Sequence, residues 1–389
     1  MKSLVMSAAL LLILSSCQQT PKNAFWHGGN PVYEQQQVFD DQRFPNILVT
    51  QKGTVLANWG GISQHHGEGS FMVRRSEDGG VTWGPLQTIA TPVRWNGGGS
   101  LVDETSGDIL LFVEKDPMTL EFPAGPLHIF RSTDDGITWK EQEYEILPNS
   151  LGHIPSMHIN ERGLTLQHGP HAGRLIRASR FYGDSNEREH WEQHYTNAMY
   201  SDDGGYTWQT SEPFPAYGTG EAAIEELSDG TIYYNSRRHL STDGLDPLMR
   251  HIAYSYDGGH TWTDLSVSKV LPDGPSNSTY GLMAGLVRLP VDGHDILIFS
   301  NVDSDSGRHS GTIWASFDGG RTWPVKRLAE RSGFAYSSLA AGRTGTPSEG
   351  FIYMLYEDAG HPDSRGIAAR FNLDWITGGR DWEEFLPQN

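Results

Sequence analysis

The chain has 389 residues, with 29 Lys and Arg against 48 Asp and Glu, for a net charge of −19. That balance argues against a nucleic-acid binder, because phosphate contacts need a basic face that displaces counterions, and any anionic ligand must meet a local cluster of arginines that overcomes the field of the whole molecule. With 45 Gly, 21 Pro and 12 Trp, and helix formers thinly spread, the composition points to many short strands joined by tight turns and away from a helical bundle or coiled coil.

In chain order, residues 1–17 read as an address. Lys2 gives a basic start, Leu4 to Leu14 form an apolar stretch too short to span a bilayer, and small residues follow at Ser15 and Ser16. Leu14-Ser15-Ser16-Cys17 resembles the lipoprotein box of bacteria, which implies lipidation of Cys17, export, and a place in the cell envelope where the membrane is met through the anchor alone. Residues 18–24 form a short polar linker, and residues 25–389 are expected to form one domain. Cys17 is the only cysteine, so that domain has no disulfide and depends on packing.

Five segments then share the pattern S-x-D-x-G-x-T-W: Ser76–Trp83, Ser132–Trp139, Ser201–Trp208, Ser255–Trp262 and Ser316–Trp323. The pattern has the logic of a hairpin turn. Its Asp accepts backbone N–H groups, its Gly supplies a positive φ, and Thr-Trp opens the outgoing strand. Apolar alternation precedes the copies, as in Phe71-Met72-Val73 and His128-Ile129-Phe130. The spacing is about 60 residues, close to the repeat of a four-stranded propeller blade. Residues 25–389 hold about six such repeats, one more than the boxes. The expected fold is all-β, a six-bladed β-propeller of four-stranded antiparallel blades, acting as a monomer.

These segments resemble the Asp boxes of sialidases, and further motifs of that family occur in order along the chain. Arg43-Phe44-Pro45 resembles the R-I-P opening, and Asn235-Ser236-Arg237 resembles the segment carrying a second arginine. Phe299-Ser300-Asn301 followed by Arg308 resembles the segment carrying a third. The resemblance implies that Arg43, Arg237 and Arg308 clamp a substrate carboxylate, a task suited to planar guanidinium groups. Phe334-Ala335-Tyr336-Ser337-Ser338-Leu339 resembles A-Y-S-x-L and implies Tyr336 as nucleophile. Gly220-Glu221 and the residues to Leu227 resemble E-x-x-x-x-E-L and imply Glu221 as its base, since an unaided phenol titrates near pH ~10. Glu357, in Leu355-Tyr356-Glu357, resembles the family's late Glu, which implies that it orients the first arginine. The implied activity is that of a retaining exo-α-sialidase needing no metal or cofactor. In the family the boxes lie away from the catalytic mouth, so their Asp residues are expected to be structural.

One part departs from the family. Its acid/base is an Asp between the R-I-P strand and the first box, yet Gln42 to Glu77 contains no Asp. His65 or His66 is expected to protonate the leaving group, since imidazole titrates near neutral pH, with Glu68 in reserve. The departure leaves open a hydrolase or lyase for another acidic sugar, a 2-keto sugar acid or a uronate. A carbohydrate-binding lipoprotein without catalysis is also open. Trp95-Asn96, Phe181-Tyr182 and Trp191 line the rest of a pocket or pack between blades. His190-Trp191-Glu192-Gln193-His194 lacks the Glu that would follow the first His of a zinc protease helix, and Gly218-Thr219-Gly220 lacks a surrounding strand-turn-helix unit.

Overall fold

The computed structural model describes residues 26, 29–41, 43–61, 69–93, 99–114, 127–155, 161–185, 187–246, 248–274, 281–360 and 364–387. The leader with Cys17, the linker, His65, His66, Glu68, Trp95 and Asn96 lie outside them. The described chain forms six sheets, here numbered as blades from the inner strand outward. Blade 1 comprises Pro45–Val49, Val55–Trp59, Gly69–Ser76 and Gln87–Val93, and blade 2 comprises Ser100–Val102, Ile109–Glu114, Leu127–Ser132 and Lys140–Gln142. Blade 3 has Leu164–Thr165, Leu175–Phe181, Tyr195–Ser201 and Thr207–Thr210. Thr219–Glu226, Ile232–Arg238, Met249–Ser255 and Thr263–Pro272 form blade 4, and Gly285–Arg288, Leu297–Val302, His309–Ser316 and Val325–Gly333 form blade 5. Blade 6 has Ser337–Ala341, Ile352–Asp358 and Arg365–Phe371, with Tyr33–Phe39 from the other end of the chain as its outer strand. Inner strands of neighbouring blades touch at five of the six seams, blade 6 meeting blade 1 in this way, and at the sixth Leu175–Phe181 of blade 3 packs on Thr219–Glu226 of blade 4, so the six sheets close into a ring.

Two details refine the expectation. Blade 3 carries a fifth strand, Glu145–Leu147, paired parallel to Thr207–Thr210 and drawn from the long connection out of blade 2. The other five sheets are four-stranded and antiparallel. The mismatch between five boxes and six blades has a topological cause. A box occupies the turn between third and fourth strands, and blade 6 has no such turn because its fourth strand arrives from the N-terminal side.

The boxes work as the residue types predict. In the first, Ser76 Oγ accepts from Gly80 N at 2.8 Å, Asp78 Oδ1 accepts from Thr82 N at 2.9 Å, and Thr82 Oγ1 donates to Asp78 Oδ2 at 2.6 Å. The Thr82 hydrogen bonds hold the Asp78 carboxyl at about 2. The box also ties neighbouring blades together. The second glycine of the fourth box, Gly259, has φ +89°, and a Cβ there would lie 2.1 Å from Ile176 Cδ1 in blade 3. Apolar packing follows the same plan, with a separate buried cluster at each of the six seams. At the seam of blades 3 and 4, Ile176, Ala178 and Ala198 pack on Ala222, Ile224 and Tyr234. Among the described residues no helix is long and apolar enough to cross a membrane.

Candidate active site

All inner strands start at one end of the ring axis, and all second strands finish there. The boxes, between third and fourth strands, therefore lie at the opposite end. Arg43 precedes the inner strand of blade 1, Glu221 lies near the start of that of blade 4, and Tyr336 immediately precedes that of blade 6. Arg237 lies within Ile232–Arg238, and Glu357 within Ile352–Asp358, both near the strand end. Arg308 precedes His309–Ser316. Residues far apart in sequence thus meet at one mouth.

Local backbone geometry aims them. Between Thr219↔Arg238 and Ala222↔Ser236, Gly220 and Glu221 together oppose Arg237 alone. This bulge sets the Glu221 carboxylate against the Arg237 guanidinium. Tyr336 is fixed by its own main chain, with Ala335 N donating to Glu357 O at 3.0 Å and Glu357 N donating to Tyr336 O at 2.9 Å. Phe334 N donates to Arg308 O at 3.0 Å, tying the third arginine to the same segment.

The side chains converge on the Tyr336 ring. Its Oη donates to Glu221 Oε1 at 2.9 Å and accepts from Arg237 Nη1 at 3.3 Å. Arg237 also ion-pairs with Glu221. The Cζ atoms of Arg43 and Arg308 lie 5.1 and 5.4 Å from the Tyr336 ring centroid. Glu357 anchors Arg43, accepting from its Nε at 3.2 Å and Nη2 at 3.1 Å, and also accepts from Phe44 N at 2.9 Å. Tyr336, Glu221, Arg237 and Glu357 are all buried, while the Arg43 side chain keeps 19% of its surface open.

Burial pushes the Tyr336 phenol above its ordinary range, and the Glu221 charge adds to the rise, while Arg237, Arg308 and Arg43 pull the other way. Burial also works to raise the Glu221 carboxyl, but Arg237 and Arg180 more than reverse it, so Glu221 stays ionised. The pair is a proton donor hydrogen-bonded to a charged acceptor, inside a ring of cations. Such an arrangement can receive an anionic group at the arginines and withdraw a proton from Tyr336.

The proposed pocket aromatics are divided. Tyr182 is buried under the Arg180 guanidinium, whose Cζ lies 4.2 Å from its ring centroid, and Trp191 packs edge-on against His239 at 5.0 Å. Phe181, at the end of the second strand of blade 3, stacks on His153 at 3.8 Å. A cavity of about 310 Å³ opens at the other end of the axis, lined by residues including Arg162, Glu225 and Arg343. Its cations are paired, Arg162 with Glu225 and Arg343 with Glu104, and it is remote from Tyr336. Among the described residues no group of three or more His, Asp or Glu is placed to hold a metal.

The profile of the BNR repeat-like domain family matches residues 53–353, well over half of the chain. The chain belongs to the BNR repeat-like family. This BNR-repeat protein is 32% identical over 385 aligned positions to the sialidase of Micromonospora viridifaciens, an alignment that takes in 90% of this chain and 55% of that protein. It therefore spans little more than half the length of that relative. Among solved structures it is similar to the Hadza microbial sialidase Hz136, with a TM-score of 0.64 and 25% identity over 86% of this chain and 66% of the other. The intramolecular trans-sialidase from Ruminococcus gnavus, in complex with oseltamivir carboxylate, shares the fold with a TM-score of 0.62 at 18% identity, over 86% of this chain and 95% of that one.

Sequence motifs did not reveal three features of the mouth: the bulge at Gly220-Glu221, the buried Arg180, and His194, which binds it. His194 belongs to the stretch set aside as an unlikely zinc site. Its actual contacts lie across the sheet, where no local spacing reports them.

Proposed function

We propose that this protein is a glycoside hydrolase of the exo-α-sialidase kind, releasing terminal sialic acid from glycans with retention of configuration. One observation carries the reading: three arginines chosen from separate motifs surround the ring of Tyr336, and its hydroxyl donates to an ionised Glu221 at 2.9 Å. The sialidase relatives support the same class.

The chemistry follows from charge. A sialoside carries a carboxylate on its anomeric carbon, and Arg43, Arg237 and Arg308 hold it through charge-assisted hydrogen bonds. A carboxylate nucleophile approaching that carbon is repelled, whereas a neutral phenol is not. Tyr336 Oη attacks the anomeric carbon while its proton passes to Glu221. The bond to the leaving oxygen breaks as that oxygen takes a proton from the general acid. Water, deprotonated by the same acid/base group, then attacks the tyrosyl-bound carbon, and the phenol recovers its proton from Glu221. Two displacements give retention, and tyrosine is the nucleophile known for this class of glycosidase.

The general acid in this proposal is His65 or His66, with Glu68 in reserve. Lipidation at Cys17 would hold the enzyme in the cell envelope, facing exported or external glycans.

The test is hydrolysis of a fluorogenic N-acetylneuraminic acid glycoside by the chain from Gln18 onward, with proton NMR of the first product anomer. Release that is lost in Tyr336→Phe, with an α-anomer formed first, is the expected result. A folded wild-type protein that releases nothing refutes the proposal. His65→Ala should reduce turnover of substrates with poor leaving groups far more than activated ones, and equal losses rule His65 out as the acid.

A further inference from the structure

Arg180 is a buried cation that the steps above leave unused. It continues the row Ile176 and Ala178 on the second strand of blade 3, whose partners across the seam are Ala222 and Ile224, next to Glu221 on the inner strand of blade 4. Only 2% of Arg180 is exposed. Its hydrogen bonds go to uncharged groups, from Nη2 to His194 Nδ1 at 2.7 Å and from Nη1 to Tyr182 Oη at 3.4 Å, while Nε has no partner among the described residues. Two other buried arginines are matched differently. Arg250 meets Asp273 at 2.7 Å, and Arg238 meets Asp243 at 2.8 Å. Among the described residues no carboxylate bonds to the Arg180 nitrogens, and a buried guanidinium so placed is unfavourable for folding, which asks for a reason outside stability.

His194 is set up for this one partner. Arginine only donates, so Nδ1 must be the accepting nitrogen and the ring proton resides on Nε2, which donates to Ser185 O at 2.7 Å. Burial and the Arg180 charge hold the imidazole at about 3, so it stays neutral. Burial works against the Arg180 charge, and of the ionised groups around it Glu221 favours that charge while Arg237 opposes it. His239, a further buried ring beside them, is kept neutral by burial and by Arg237 and Arg180.

We propose that Arg180, held by the neutral imidazole of His194, is a positioning cation for Glu221, acting on the base without touching substrate. The proposal rests on Glu221 being the base for Tyr336. It explains why a second cation is present. Arg237 serves both the base and the incoming carboxylate, and an anion arriving there cancels part of its hold on Glu221. Arg180, held on the neighbouring blade by His194, keeps the carboxylate ionised until the phenol proton arrives.

The experiment uses the exported chain with Arg180→Met, which matches the length of the stem without charge, and Arg180→Gln, which keeps a donor to His194 should the methionine variant fail to fold. Two readouts are compared: the acidic limb of kcat/KM, and the carboxyl carbon-13 shift of Glu221 against pH, assigned with Glu221→Gln. Both should move up by about one pH unit or more, as expected for loss of a neighbouring opposite charge. Below the limb, turnover should fall about tenfold for each unit, with KM little changed. His194→Leu should reproduce part of the shift. A Glu221 titration that does not move in a folded variant overturns the proposal. So does a rise in KM at unchanged kcat, which would make Arg180 a substrate ligand. If the wild type hydrolyses no sialoside, the activity reading has failed, and the carboxyl titration still judges Arg180 without substrate.

Discussion

The box glycines give the sharpest stability prediction. Gly259→Ala places a side chain at φ +89°, with its Cβ 2.1 Å from Ile176 Cδ1, and Ile176 is fully buried. The left-handed backbone costs about 1–2 kcal/mol, and forcing a methyl into a packed seam adds about 1–3 kcal/mol. The sum is about 2–5 kcal/mol. With an unfolding entropy of about 2.1 cal/mol/K per residue over a domain this long, Tm should fall by about 3–6 °C. Gly293→Ala is the control, because Gly293 has φ +80° but nothing within 4 Å of the added carbon, so only the backbone cost applies. Ile176→Val removes the obstructing methyl at a cost of about 0.5–1.5 kcal/mol by itself. Combined with Gly259→Ala it should be clearly less than additive, by about 1 kcal/mol, in urea or thermal melts. Turnover below the transition should be unchanged, because the box lies at the end of the axis away from Tyr336. The reasoning fails if Gly259→Ala costs no more than Gly293→Ala, or if the two seam changes add in full.

Glu221→Gln keeps the shape of the base and removes its charge, and kcat should fall by about 10²–10⁴-fold in steady-state assays, with the fold intact by circular dichroism. Glu161 is wholly buried, and burial raises its carboxyl to about 8, with Ser338 Oγ donating to it at 2.5 Å. A folded value above the unfolded one means that the native state holds the extra proton, so the stabilisation is complete below the unfolded value near pH ~4.3 and is lost as pH rises through about 8. Glu161→Gln should therefore flatten that decline, and parallel Tm–pH curves for the two proteins would refute the assignment. Removing residues up to Phe39 leaves Arg365–Phe371 as an exposed edge, and the single thermal transition should give way to aggregation, visible by light scattering. A truncated chain that melts as sharply as the full one would refute the role given to the closing strand.

The fold was readable because the box is a local device. Ser, Asp, Gly and Thr within a few residues define the whole hydrogen-bonded turn, so each copy announced a blade. The sixth blade could only be inferred from length, since its outer strand is contributed by the opposite end of the chain. The arginines, Tyr336, Glu221 and Glu357 were readable through short motifs spread over four blades, and the structure brings all six side chains to one mouth. Arg180 and His194 were not. Their significance arises from a register across strands Leu175–Phe181 and Tyr195–Ser201, and from packing against the next blade, neither of which leaves a spacing in the sequence. The bulge at Gly220-Glu221 escaped for the same reason: an extra residue becomes visible only against its partner strand.

The sealing of blade 6 by Tyr33–Phe39 also orders events in time. The first strand to leave the ribosome must wait for the last before it can pair. Tyr336 and Glu357 belong to this final blade, whereas Glu221 and Arg237 belong to one completed well before it. Loop closure across nearly the whole chain is entropically slow. The mouth is consequently among the last regions to be assembled, and a partly synthesised chain carries its arginines without the tyrosine they surround. Once the ring is sealed, opening must break main-chain pairing between the two ends of the molecule, so the same step that delays activity also slows its loss.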